Sequence, residues 1–451
     1  MRFIDWKKWI FSLPWSMRWF VILILIRPVI DVFYFLKDVN PFLSPLYIVG
    51  VLTPVLIFLS FNSRKLPKRN RNKVDKYFFI WGLLVLVNVV SLIIMDTSIQ
   101  TFGNGLKYII PLLLFFYLRR FVHAKRHLHG LLQTFLYSAI FPAFLLIYEH
   151  LVGPISPQVT RGSEVRFQGV YADSGNYIFY IIGPFLILSY FYLEKKRLQT
   201  GYFLSKKALI LFFPLFLLGL ASIKHVASWV VFAMLFVLLL LFRFRTRGLS
   251  IPFLIIILGI SIFSQSIFET QIRPLINSEI SVLKGEIDVE RSFHGRTSRW
   301  KRYFTTWEKM PTFTQVFGVA LYNFFESFEG INFGINYELK EKIPIMVSGG
   351  MHSDYVRILF LSGILGLVLY LIFIFGLFWS CKRFDPVDRF LIIGAILVIL
   401  LYSVTTNPHL YHPLLYFILP IFAYSLLPVR VLKGEKNTDR KDRDQAKEEQ
   451  R

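Results

Sequence analysis

The segment Ile364–Phe378 reads ILGLVLYLIFIFGLF and contains no charged side chain. A helix needs roughly 20 predominantly apolar residues to cross about 30 Å of hydrocarbon, and the apolar sequence on either side of this segment supplies that length. Other segments share this character, among them Phe20–Ile26, Leu83–Leu92, Leu209–Leu220 and Val230–Phe242. The sequence therefore predicts an all-α polytopic membrane protein.

The composition excludes an ordinary soluble protein. Of 451 residues, 55% are hydrophobic and 18% are aromatic, and the mean hydropathy is +0.54. A soluble chain of this size could not hide so much apolar side chain. The net charge of +23 would suggest nucleic acid in a soluble protein, but the basic residues lie in short loops between apolar segments. Membrane topology explains this charge better, so we expect no nucleic-acid partner.

Basic residues also predict the orientation of the chain. Lysine and arginine concentrate in alternate loops, as the positive-inside rule requires, so both termini are predicted to be cytoplasmic. The single cysteine, Cys381, falls in a predicted cytoplasmic loop and cannot form an intramolecular disulfide. We predict about twelve transmembrane helices, at 15–36, 42–61, 77–96, 105–118, 129–151, 174–193, 208–223, 226–242, 250–268, 353–379, 388–405 and 412–428.

One outside loop, at residues 269–352, is far too long to be a connector. Long loops on a rigid scaffold are where function concentrates, and the aromatic content of this one predicts a packed subdomain with short helices. The loop divides the chain. Transmembrane helices 1 to 9 lie in residues 1–268 with a shorter outside loop at 152–173, and helices 10 to 12 lie in 353–428. The charged tail at 429–451 is expected to be disordered.

His352 lies at the outer mouth of a predicted helix, where apolar sequence begins. Imidazole titrates near neutrality, so this histidine could take a proton from an attacking hydroxyl. Arg357 follows deeper in the same helix, where a charge is expensive unless it faces a polar cavity or an anion. The alternative interpretation is that His352 is only an interfacial polar residue.

Arginines cluster in both outside loops. If the sequence around Arg296 and Arg299 is helical, these two residues share a face, and guanidinium groups suit the oxygens of a diphosphate. Arg291 lies just before them, and Arg161 and Arg166 lie in the shorter loop. The alternatives are a solvated basic face in the long loop and a plain turn in the shorter one.

The remaining polar features are explained better by a structural role than by a catalytic one. Arg27 and Asp31 are four residues apart in the first predicted helix, which favours a structural ion pair. Lys224 and His225 lie in a very short outside turn and could face a cavity or anchor to headgroups. The sequence has no metal-ligand cluster and no Walker or dinucleotide glycine motif, so we expect no cofactor.

Several motifs together resemble one family. His352-Ser353, nine residues and then Gly363 resemble the His-[Asn/Ser/Gln]-x9-Gly signature of O-antigen ligases and O-antigen polymerases. The other matching stretches are Gly295-Arg296 with Trp300 and the later Phe317-Gly318-Val319, Arg166-Phe167-Gln168-Gly169 with Asn176, and Arg27-Pro28 with Asp31. They extend from about residue 27 to about residue 366, in the order that the family shows.

The resemblance implies a GT-C type glycosyltransferase of the bacterial inner membrane with its active site on the periplasmic side. Such enzymes move a glycan from undecaprenyl diphosphate to an acceptor sugar without a nucleotide sugar, and the ligases do so without metal. The acceptor is the lipid A core for a ligase and a lipid-linked repeat unit for a polymerase, and Ser353 leaves that choice open.

The resemblance also implies roles for individual residues. His352 would deprotonate the acceptor hydroxyl, and backside attack would invert the anomeric carbon. The diphosphate would be held by arginines, with Arg166 and Arg296 foremost and with Arg161, Arg291, Arg299 and Arg357 as further candidates.

Two other functions fit a chain with many spans. A transporter or flippase for lipid-linked glycans also has about twelve helices, but such proteins tend to show inverted repeats and interrupted midplane helices, which the sequence lacks. A peptidoglycan polymerase of the shape, elongation, division and sporulation family would carry a characteristic outside acid, which we do not recognise here.

Overall fold

A computed structural model describes residues 3–36, 52–53, 55, 73–95, 99–153, 159–161, 164–166, 171, 174–198, 206–223, 226–244, 296–318, 353–405 and 412–428. This part of the chain is helical apart from one hairpin. The α-helices are α1 (Phe3–Ser12), α2 (Trp15–Asp31), α3 (Lys73–Met95), α4 (Ile99–Phe121), α5 (Lys125–Ser138), α6 (Ile140–Leu151), α7 (Ser174–Leu198), α8 (Lys206–Ile223), α9 (Val226–Phe244), α10 (Arg296–Glu308), α11 (Thr312–Phe317), α12 (Asp354–Ser380), α13 (Pro386–Thr405) and α14 (His412–Ser425).

The helices confirm the all-α prediction, to which the structure adds one short hairpin. Its strands, β1 (Val159–Arg161) and β2 (Glu164–Arg166), are antiparallel and lie in the predicted outside loop at 152–173. Arg161 pairs with Glu164, so two residues join the strands. The intervening sequence is Gly-Ser, which suits a two-residue hairpin turn.

Within the described residues, five helical segments are long and apolar enough to cross a membrane, which makes this a membrane protein. Shorter apolar helices pack beside them. The five segments are Lys73–Ser91, Lys125–Leu151, Tyr177–Glu194, Asp354–Arg383 and Pro386–Val404, and the shorter ones are Phe212–Ile223, Ala227–Arg243 and Leu414–Ser425. The total of about twelve spans stays a prediction, because those at 250–268 and, except for three residues, 42–61 lie outside the described residues.

The predicted span at 129–151 consists of two helices, α5 and α6, that meet at Ala139. Pro142 follows three residues later, and a proline ring prevents the normal helical hydrogen bond to the carbonyl four residues before it. Ala139 keeps a helical conformation and donates its N–H to the carbonyl oxygen of Phe135, so α5 and α6 form one span with a local break in the helical hydrogen bonds.

A half-buried lysine joins helix ends at one end of the bundle. Lys125 at the start of α5 lies 3.0 Å from Glu194 in α7 and 2.8 Å from Asp388 in α13. Tyr190 of α7 and Tyr424 of α14 each donate a hydrogen bond to Asp388 at 3.0 Å. Four helices therefore meet around one lysine, and we refer to these five residues as the lysine network.

A second ion pair lies near the end of α14 that contributes Tyr424 to the lysine network. Arg119 in α4 donates from Nε and Nη2 to the two carboxylate oxygens of Asp75 in α3, each at 3.0 Å. It also donates to the carbonyl oxygens of Ala423 and Leu426. The charge pattern predicts that these helix ends share one side of the membrane. We call this side of the bundle the basic end and the opposite side, where α12 begins, the loop end; which of them is cytoplasmic stays a prediction.

Helix α1 was not among the predicted elements. Its Trp6 donates to the hydroxyl of Thr134 in α5 at 3.1 Å, and its Trp9 packs where a side chain at Gly130 would lie. The helix exposes Lys7 on the opposite face. Its length of 10 residues is too short to span a membrane, so the hydropathy pattern did not reveal it.

Candidate functional site

The start of α12 is fixed to α13 by two hydrogen bonds. The hydroxyl of Ser353, directly before the helix, donates to the carbonyl oxygen of Ser403 at 2.9 Å. The hydroxyl of Tyr355 donates to the carbonyl oxygen of Leu400 at 3.0 Å. Ser353 follows the predicted base His352, which lies outside the described residues. The chain next to His352 is thus anchored, while the role of His352 stays a prediction.

Arg357 is a deeply buried cation in the first turns of α12. Its side chain is only 2% exposed and is among the largest that are fully buried. Its Nε and Nη1 atoms have no hydrogen-bond acceptor among the described residues. A buried charge is stable only when it is paired and hydrogen-bonded. These N–H groups therefore favour a place for an anionic or strongly accepting ligand.

An aromatic ring supports this arginine. The guanidinium carbon of Arg357 lies 5.5 Å from the ring centre of Tyr108 in α4. A cation over an aromatic face gains roughly 0.5 to 2 kcal/mol, more where water is excluded. Sequence reasoning missed Tyr108, because nothing in its own segment distinguishes it from the other aromatic residues of an apolar helix.

Helix α12 is interrupted at Gly363, six residues beyond Arg357. Gly363 has φ +67° and ψ −172°, a conformation open essentially only to glycine. Gly318, which ends α11, has φ +100° and ψ 160° and lies in the same region. The structure packs the end of α11 against α12 at this interruption, so two glycines from separate sequence motifs meet.

Asn88 connects α3 to the end of α11. Its side-chain amide, which is fully buried, donates to the carbonyl oxygens of Leu84 at 2.8 Å and of Phe317 at 3.3 Å. Phe317 is the last residue of α11. The short loop helix is therefore held from two sides, by α12 and by α3, and sequence reasoning missed the contact with Asn88.

Helix α10, which contains Arg296 and Arg299, packs against α12. The ring of Tyr303 lies 5.7 Å from that of Phe360, which is one turn beyond Arg357. The stretch containing Arg296 and Arg299 is helical, as the pairing argument required. Positions 296, 299 and 303 follow one helical face. The structure describes only the backbone of the two arginines, so the phosphate contacts of their side chains stay a prediction, and Arg291 lies outside the described residues.

The hairpin gives a definite arrangement to the arginines of the shorter loop. Val159 pairs with Arg166 and Arg161 pairs with Glu164. Alternate residues of a strand point to the same face, so positions 161 and 166 share one face of the hairpin. Their side chains lie outside the described part of the structure, so contact of these two arginines with a phosphate stays a prediction.

Arg27 and Asp31 form the predicted ion pair, with Nε and Oδ1 2.6 Å apart and both residues 3% exposed. Tyr416 and Tyr180 are buried within electrostatic range of this pair. The contact confirms the predicted pairing of these two residues. Lys224 and His225 lie outside the described residues.

Within the described part of the chain, no three histidine, cysteine, aspartate or glutamate side chains are placed to hold a metal ion. Comparison with protein-family models and with curated proteins gives no match.

Proposed function

We propose that this protein is a membrane glycosyltransferase of the O-antigen ligase and polymerase type, which transfers a glycan from undecaprenyl diphosphate to an acceptor sugar. The observation that carries the proposal is Arg357, a buried guanidinium with two N–H groups that lack an acceptor within the described structure. A lipid diphosphate supplies an anion at the edge of the membrane, where such a residue is otherwise expensive.

The proposed reaction transfers one proton and releases one leaving group. His352 accepts the proton of the acceptor hydroxyl as its oxygen attacks the anomeric carbon of the donor sugar. A new glycosidic bond forms on one side of that carbon while the bond to the diphosphate oxygen breaks on the other, with inversion. The bond electrons leave with the diphosphate, so no proton is needed at the leaving group if cations neutralise its added charge.

Arg357 and the arginines of α10 are suited to that neutralisation. Contact between Tyr303 and Phe360 brings α10 against the outer part of α12, and Arg296 and Arg299 precede Tyr303 on the same face. Electrostatic interactions strengthen where water is excluded, so a buried guanidinium stabilises developing charge better than an exposed one does. Arg166 and Arg161 on the hairpin face are further candidates for the donor.

The proposal is tested with purified protein in proteoliposomes that contain a lipid-diphosphate glycan and its acceptor. Wild-type protein should form the extended glycan, and His352→Ala and Arg357→Ala should abolish transfer while the protein still inserts in the membrane. Arg126→Lys, an exposed basic-end residue, is the matched control and should retain full activity. Full transfer by His352→Ala would remove the catalytic assignment.

The phenotype of a deletion strain distinguishes a ligase from a polymerase. Loss of long chains from the lipid A core, with accumulation of lipid-linked polymer, indicates a ligase. A core that carries a single repeat unit indicates a polymerase. Accumulation of donor on the cytoplasmic leaflet would instead indicate a flippase and would overturn the enzyme proposal.

A further inference from the structure

Helices α3 and α12 lie side by side at the basic end. A Cβ atom at Gly376 of α12 would lie 2.9 Å from the side chain of Val74 in α3. One turn further into the bundle, the ring of Phe78 lies 4.6 Å from that of Phe373. The start of α3 and the end of α12 therefore form one continuous part of the protein surface.

The exposed charge at the basic end is entirely cationic among the described side chains. The exposed residues are Lys7, Lys8, Lys73, Lys76, Arg126, Lys382 and Arg383. The carboxylates of Asp75, Glu194 and Asp388 are buried, and they pair with Arg119 or Lys125. This surface is therefore complementary to an anionic partner.

Lys73 of α3 and Lys382 of α12 have no carboxylate partner within the described part of the chain. The Nζ atom of Lys382 lies 3.7 Å from the ring centre of Trp379. Asp385, the carboxylate that follows in the sequence, is half-buried, accepts a backbone N–H in the first turn of α13 at 3.2 Å, and acts electrostatically on Lys125. Both ammonium groups are thus available to an anion from outside the protein.

The two helices present the same order of exposed side chains from the membrane core outward: an apolar residue, an aromatic residue of the interfacial type and a lysine. The order is Phe375, Trp379 and Lys382 in α12, and Ile80, Tyr77 and Lys73 in α3. Spacings of three and four residues place each set on one face of its helix. Tryptophan and tyrosine favour the level of the lipid headgroups, so both lysines lie at or beyond that level.

This order follows the order of groups in a phospholipid, and the charges select among headgroups. Acyl chains would lie against Phe375 and Ile80, and a phosphate would lie at the level of the lysines. The amine of a zwitterionic headgroup would find no exposed carboxylate among the described residues of this surface. One face of the Trp379 ring is covered by the ammonium of Lys382, so a choline cannot occupy that face.

We propose that the basic ends of α3 and α12 bind the headgroup of an anionic phospholipid, with Lys73 and Lys382 supplying the positive charge. The proposal does not depend on the proposed function. The same two helices carry Asn88 and Arg357 toward the loop end, so a lipid that bridges their basic ends would stabilise the helix pair on which the candidate site is built.

The test measures thermal unfolding of the purified full-length protein in micelles that contain phosphatidylglycerol or phosphatidylcholine. Phosphatidylglycerol should raise the unfolding temperature more than phosphatidylcholine does, and a higher salt concentration should reduce the difference. The double variant Lys73→Gln/Lys382→Gln should lose most of this difference.

The matched control is Lys7→Gln/Lys8→Gln, which removes the same charge from exposed positions in α1. Helix α1 also packs at the basic end, where Trp9 lies 6.4 Å from Phe121. The control should keep the full effect of phosphatidylglycerol. An equal loss in both double variants would mean general attraction to a charged micelle and would overturn the proposal.

Equal stabilisation by the two lipids, or an unchanged lipid effect in Lys73→Gln/Lys382→Gln, would also overturn it. Inorganic phosphate alone should not reproduce the shift, and a full shift with phosphate would assign the surface to small anions instead of a lipid. Unfolding without added lipid checks that the variants fold. If the double variant is unstable, native mass spectrometry of Lys382→Gln decides, because this variant should retain several-fold less bound phosphatidylglycerol than wild type.

Discussion

Neither Gly318 nor Gly363 has room for a side chain, because each faces the backbone that directly precedes the other glycine. A Cβ atom at Gly363 would overlap the backbone of Val316 and Phe317, and one at Gly318 would overlap the backbone of Leu361 and Ser362. Both glycines also adopt backbone conformations that other residues rarely reach. The contact therefore depends on glycine at both positions for two separate reasons.

Gly363→Ala should destabilise the protein and lower its activity. Backbone strain alone costs about 1 to 3 kcal/mol, and overlap with α11 adds to it. Thermal unfolding in detergent measures the loss of stability. Gly153→Ala is the matched control, because Gly153 has φ +120° but nothing within 4 Å of the position that an alanine methyl group would take; an equal loss in the control would mean that the contact with α11 contributes nothing.

Tyr108→Phe should preserve glycan transfer, whereas Tyr108→Leu should lower it. Phenylalanine keeps an aromatic face beneath Arg357, and leucine removes it. We expect about a twofold to thirtyfold loss in kcat/KM for the leucine variant, which corresponds to roughly 0.5 to 2 kcal/mol. Kinetics at several donor concentrations provide the measurement. Equal kinetics for the two variants would show that the ring does not position the arginine.

Arg119→Ala should be strongly destabilising without a direct effect on chemistry. Removal of one partner of a buried ion pair costs about 3 to 5 kcal/mol, and Asp75 would lose both of its described hydrogen bonds to this arginine. Thermal unfolding compares the variant with Lys73→Ala, which changes an exposed residue in the same helix turn as Asp75. A small loss for Arg119→Ala would mean that water or another residue replaces the pair.

Acidification should weaken the fold near His123, between α4 and α5. Burial, and next the charge of Arg126, lower the pKa of this imidazole below its usual 6.5. The unfolded chain therefore takes up a proton first as the pH falls below about 6.5, and stability declines until the folded protein is protonated as well. Unfolding measured from pH 7.5 to 5 should show a smaller decline for His123→Gln. An identical decline would assign the effect to other groups.

Hydropathy and charge predicted much of the helical framework. Ten of the predicted spans overlap described helices, and the helix ends tied together by the lysine network and by Arg119 are ones that the charge pattern assigned to a common side. Local spacing also predicted the pair of Arg27 with Asp31. These features depend on residues close in sequence or on averages over a segment.

The residues that surround Arg357 could not be predicted in the same way. Tyr108 and Asn88 contact residues more than 200 positions away, and such partners are determined by how the helices pack. The motifs identified Gly318 and Gly363, but no local pattern indicated contact between them. Helix α1 was missed because its burial depends on Gly130 leaving room for Trp9.

The break at Gly363 divides α12, and its outer nine residues, from Asp354 to Ser362, form a separate helical segment. The bilayer and the neighbouring helices determine the tilt of the inner part. Contacts with α11 and α13 determine the direction of the outer segment. A variant or ligand that shifts α11 is therefore expected to move Arg357 more than the part of α12 that follows Gly363.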